Sequence, residues 1–111
     1  MPAPEKEPAY GYLRVLDLPD GEIEVLEKQL HEYAKAHNMV LLGIRKERYR
    51  LLRPGELAAW LIERQVQHLI VPSVEHVTTH PIARMLFCQA VYLDAGAELH
   101  EAEEEPRPAR S

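Results

Sequence analysis

Gly11-Tyr12-Leu13-Arg14-Val15-Leu16-Asp17 is an apolar, β-prone run with a single arginine inside it. With Tyr10 it reads as a buried strand over residues 10–16. A buried strand that gives one position to a guanidinium aims it at an anion or a carboxylate. The residues that follow decide how this strand is paired. Asp20 can cap a helix whose first turn carries Glu22 and Glu24, both favourable at the positive end of the dipole. Ile23, Leu26, Leu30, Tyr33, Ala34 and His37 then recur at helical spacing, and Asn38 suits a left-handed stop. Residues 39–44 form a continuous apolar run, the pattern of a strand covered on both faces. Pro54 fits the first turn of a second helix that contains Leu57, Trp60, Leu61 and Arg64. Residues 68–71 form a third buried strand. Pro81 opens a third helix carrying Ile82, Met85, Leu86, Ala90 and Leu93, Gly96 ends it, and Leu99 falls in a short edge strand. Strands alternating with helices of this length imply right-handed crossovers. The expected fold is therefore α/β, a three-layer domain with a mostly parallel sheet of about four strands. Ligands of such sheets sit beyond the carboxyl ends of the strands. Residues 14–17, 45–53 and 73–80 all follow strand ends and should converge on one rim.

The chain has 111 residues, 46% of them apolar, enough for one small domain with one core. Residues 1–9 read as a flexible arm, residues 10–100 as the folded domain, and residues 101–111 as an acidic disordered tail. The formal net charge of -5 argues against a chain built mainly to neutralise phosphates. The one cysteine, Cys88, has no internal partner for a disulfide, fits a small core position, and favours a reducing cytoplasm. No apolar stretch is long enough for a membrane span and no signal-peptide pattern opens the chain, so a cytoplasmic location is expected.

The first strand resembles that of the serine recombinases of the resolvase/invertase family, whose motif runs Tyr-x-Arg-Val-Ser. Tyr12, Arg14 and Val15 match it, and Leu16 stands where the family carries its nucleophilic serine. Arg53-Pro54-Gly55-Glu56-Leu57 is similar to the family's Arg-Pro-Gly-Leu, with Glu56 as one extra residue or the leucine shifted, and places Arg53 at the phosphate-binding arginine of that motif. Where the family has Leu-Asp-Arg-Leu-x-Arg, this chain has Val74-Glu75-His76-Val77-Thr78-Thr79. Glu75 keeps the acid, while His76 and Thr79 replace two arginines that contact the scissile phosphate. The likeness spans roughly residues 10–100, and 94–99 looks like the family's ending of the last helix. It implies a resolvase-like sheet from which the reaction has been removed: a leucine has no oxygen to attack phosphate, and two charge donors are gone. Leu16, Glu75, His76 and Thr79 are thus degenerate active-site positions, and no catalytic residue is expected.

Residues 45–53 hold the one basic cluster. With Arg14, the residues Arg45, Lys46, Arg48, Arg50 and Arg53 are candidates for holding an anion, a DNA backbone or an acidic protein segment. The same stretch also reads as a solvated loop, or as a surface that the Glu-rich tail folds back to cover. His76 and His80 are four apart, but Pro81 delays the helix and no third ligand is placed nearby, so no metal site is expected. His31, His37, His68 and His100 read as scattered surface or boundary residues. Ser73 fits a strand-end cap, and Trp60 fits the core or a partner contact. The five glycines make no phosphate cradle, and no cofactor is expected. The functional expectation is a non-catalytic resolvase-like domain acting as a protein-binding or regulatory module and associating with itself or a protein partner. The alternative is a DNA-binding or accessory component of site-specific DNA recombination. A third reading makes Glu75, His76 and Arg14 an acid, a base and an anion holder for small-anion chemistry.

Overall fold

A computed structural model describes residues 6–104. Strand β1 (Glu7–Arg14) alternates its side chains between two apolar layers. Tyr12 enters one core cluster, and Ala9, Leu13 and Val15 enter the other. Helix α1 (Asp20–Ala36) covers the second cluster with Ile23, Leu30 and Ala34 buried and Leu26 and Tyr33 half-buried, as its spacing predicts. Asp20 is the first helical residue rather than the cap. Pro19 holds the cap position and no side chain bonds there. Asn38 turns the chain with φ 59° into β2 (Met39–Glu47).

Helix α2 (Pro54–Glu63) starts on its proline and buries Leu57 and Leu61 in the opposite layer, in one cluster with Tyr12, Leu69 and Val71. Strand β3 (His68–Val71) leads to a single turn, α3 (Val74–Val77), and then to α4 (Pro81–Gln89). A π-helical stretch (Ala90–Asp94) extends α4, Gly96 stops it with φ +66°, and β4 (Glu98–Glu101) follows. The four strands are all parallel and lie in the order β2-β1-β3-β4. Helix α1 forms one outer layer, and α2 with α4 and its π extension forms the other. The chain is a three-layer α/β domain.

Three expectations are corrected. Residues 7–9 belong to the fold rather than to an arm, because Glu7 already pairs with Met39 and Ala9 is fully buried. Residues 101–104 belong to it rather than to a tail, because Glu101 closes β4 and a 3-10 turn (Ala102–Glu104) buries Ala102 against α1. The remaining arm and tail residues lie outside the described part. Strand β2 is an edge strand with Val40 and Leu42 exposed, so its apolar run does not mean two covered faces. Helix α4 turns Phe87, with Ala90 and Val91 of the π stretch, into the core, while Ile82, Met85, Leu86 and Leu93 of the same apolar helix face solvent.

Candidate functional site: a rim closed on itself

The carboxyl ends of β1 and β2, the loop after β2 and the turn after β3 meet at one rim. Arg14 is its centre. Its Nη2 donates to the carbonyl oxygens of Tyr49 at 3.0 Å and Arg50 at 2.8 Å, which folds residues 49–50 back over the end of β1. Its Nη1 is buried without a hydrogen-bond partner. The guanidinium is thus bound to backbone rather than presented as a fork to a bound anion. The Arg14 backbone N–H donates to Nε2 of His76 at 2.9 Å. Ser73, the N-cap of α3, accepts from the His76 N–H at 3.0 Å and so fixes where that ring begins. Burial first, and the neighbouring Arg14 charge second, push the His76 imidazole below its ordinary pKa. The ring is therefore held neutral, with Nε2 as acceptor. Beneath it, burial pushes the Tyr12 phenol up, against the opposing effect of Arg14.

The other residues singled out in the sequence do not build a site around this arginine. Leu16 is half-buried, Glu75 is exposed and makes none of these bonds, and Thr79 is exposed. Thr78, its neighbour, accepts from the His80 N–H at 3.1 Å, and His80 caps α4 through Ala83. Of the trio of Glu75, His76 and Arg14, the His76 Nε2 is taken by the Arg14 N–H and the Arg14 Nη2 by two carbonyl oxygens, and Glu75 joins neither.

Most of the basic cluster is neutralised locally. Arg45 bonds the buried Glu47 at 2.9 Å and lies over the Trp60 ring. Lys46 reaches Glu27 of α1 at 2.7 Å. Arg53 pairs with Glu56 at 3.1 Å and stacks on Tyr49 with its guanidinium carbon 3.8 Å from the ring centre. Glu56, three residues on, is thus the partner of Arg53. Among the described residues, the side chains of Arg48 and Arg50 have no ion-pair partner.

Between this loop and α4 opens a cleft of about 410 Å³. Arg14 and Arg50 lie on its polar side, and Leu51, Leu52, Pro54, Ile82 and Leu86 supply its apolar walls. Leu51 is 76% exposed and Ile82 60%. Sequence spacing places these residues on one helix but does not say which of its apolar sides is left open.

At the other end of the sheet, three histidines expected to be scattered come together. His68 Nδ1 lies 3.0 Å from His100 Nε2, His68 Nε2 contacts a Glu7 carboxylate oxygen, and the Tyr33 hydroxyl is 3.2 Å from His100 Nδ1. His37 stacks on Tyr33 with ring centres 3.9 Å apart. The histidines sit at residues 37, 68 and 100, so only the parallel pairing of β3 and β4, with α1 above them, reveals the group.

Among the described residues no helix is long and apolar enough to cross a membrane. Comparison of the chain with protein-family models, with curated proteins and with solved structures finds no match in any of the three.

Proposed function

We propose that this chain is a non-catalytic, resolvase-like binding module that associates with a second copy of itself through the outward face of α4 and its π extension. The observation that carries the reading is the solvent-facing stripe of Ile82, Met85, Leu86 and Leu93. An isologous contact sets a patch against itself, so a patch whose charges are all of one sign repels its copy. From Pro81 to Leu93 the only ionisable group of full charge is Arg84, which is half-buried. The stripe is thus suited to self-pairing, and four large apolar groups in a row are more than a monomer surface needs. The sheet edges are poorer candidates. Leu42 forms a bulge between the pairs Ala9–Leu41 and Tyr10–Gly43, and Arg45 and Lys46 follow on the same strand, both devices that discourage edge pairing. Strand β4 carries Glu98, His100 and Glu101.

The non-catalytic part of the reading rests on Leu16 at the nucleophile position and on the engaged Arg14 and His76. Light scattering of the purified chain is expected to give a dimer. The double variant Ile82→Asp/Met85→Asp should run as a monomer with little change in unfolding, since both side chains are exposed. Supercoiled plasmid incubated with the wild type should remain uncut and free of covalent protein. A monomeric wild type at high concentration, or a cleaved plasmid, contradicts the proposal. Arg48 and Arg50 favour a second reading, an accessory role on DNA. In that case a gel shift at low salt should weaken with added salt and on replacing both arginines by alanine.

A further inference from the structure

We propose that Nδ1 of His68, Nε2 of His100 and a carboxylate oxygen of Glu98 form a binding site for one divalent transition-metal ion of the zinc class, with Glu7 and Tyr33 orienting the two imidazoles. The site follows from register. His68 opens β3 directly opposite Glu98 of β4, and His100, two residues on, projects to the same face. The three donor atoms lie 3.0, 3.5 and 3.8 Å apart. Donors held about 2.1 Å from a tetrahedral ion are separated from one another by roughly 3.4 Å, so this triangle matches one face of such a coordination shell. Two imidazoles and a carboxylate suit zinc and its borderline neighbours rather than calcium or magnesium, which favour all-oxygen sets. Glu98 is exposed, which leaves the fourth position open to water.

The surroundings strengthen the assignment. Metal-bound histidines commonly present their second ring nitrogen to a carboxylate or another polar oxygen, which fixes the tautomer. Here His68 Nε2 donates to Glu7, leaving Nδ1 as a lone-pair donor toward the triangle. His100 Nδ1 faces the Tyr33 hydroxyl. Without metal, His100 Nε2–H donates to His68 Nδ1 and Tyr33 O–H donates to His100 Nδ1. On binding, the His100 proton passes from Nε2 to Nδ1, where the Tyr33 oxygen accepts it, so the ring stays neutral and Nε2 is freed for the ion. The ligands come from two adjacent strands and Glu7 from a third, so the ion would staple the amino-terminal ends of β1, β3 and β4. This end of the sheet is opposite the rim, and the proposal does not depend on self-association.

The test is calorimetric titration of the tag-free full chain with zinc chloride, paired with cobalt(II) absorption to report coordination geometry. One ion per chain should bind, with a tetrahedral cobalt spectrum. Glu98→Gln, whose side chain is exposed and whose fold is therefore safe, should weaken binding by at least about 10-fold. His68→Gln and His100→Gln should weaken it further, and Glu7→Gln by roughly 10- to 100-fold through loss of ring orientation. His31→Gln and His80→Gln should leave the affinity unchanged. Failure of the wild type to bind a single zinc ion, or binding that Glu98→Gln and His100→Gln leave intact, overturns the proposal.

Discussion

Arg14 illustrates how backbone can claim a side chain that the sequence offers to an anion. Its position at the end of a buried strand suggests an anion holder, yet Tyr49 and Arg50 offer it carbonyl oxygens first. The sequence carries no signal for this, because backbone acceptors are present in every loop. Arg45 and Glu47 are clearer. Two residues apart on one strand, they share a face, and the Trp60 ring closes over the guanidinium. Glu47 is only 5% exposed, and Arg45 is its ion-pair partner. Replacing Arg45 by leucine would strand a buried carboxylate, and urea unfolding should then show a loss of about 3 kcal/mol. His76 has a different consequence. Its folded-state pKa lies below the unfolded value of about 6.5, so below that pH the unfolded chain binds the additional proton. Stability should fall as pH is lowered from about 6.5 until the folded-state pKa is passed. His100, lowered chiefly by burial, acts in the same direction. His76→Gln keeps an acceptor for the Arg14 N–H but cannot titrate, and equilibrium unfolding between neutral and acidic pH should show a shallower decline for it.

At the scale of elements, legibility depended on how one-sided each pattern was. Helix α1 has one apolar stripe and many charges, and the stripe is the buried face. Helix α4 and its extension are apolar on several sides. The spacing of Ile82, Met85, Leu86 and Leu93 was as good as that of Phe87, Ala90 and Val91, and only packing against α2 and β1 distinguishes them. Strand β2 failed for a related reason. A run of aliphatic residues signals low polarity but not how many neighbours a strand has, and an edge position with a bulge leaves Val40 and Leu42 exposed. The turns were easier, since Asn38, Pro54, Pro81 and Gly96 each carry a backbone preference that the chain uses. Gly11 shows a constraint of another kind. A Cβ there would come within 2.7 Å of Leu30 Cδ1 and 3.1 Å of Ile44 Cγ1, both side chains of the layer under α1. Gly11→Ala should lift α1 from β1 and lower thermal stability by about 1–3 kcal/mol.

For the molecule as a whole, alternation of strands and helices was enough to give a three-layer α/β domain with four parallel strands. It was enough, too, to bring three segments to one rim. What the rim does was less legible, because motif positions name residue types and not the bonds they make once packed. The histidine group at the opposite end was invisible in the sequence, since its members are 31 and 32 residues apart and meet only through strand register. The proposed working part of the molecule is a surface rather than a reaction centre: the exposed apolar face of α4, offered to a second copy. Amide hydrogen exchange measured at low and high protein concentration tests that claim most directly. Exchange in α4 and the residues up to 94 should slow as concentration rises, while α1 and β2 stay unchanged. Rates in α4 that are indifferent to concentration, or slowing that appears along β2 instead, would contradict it.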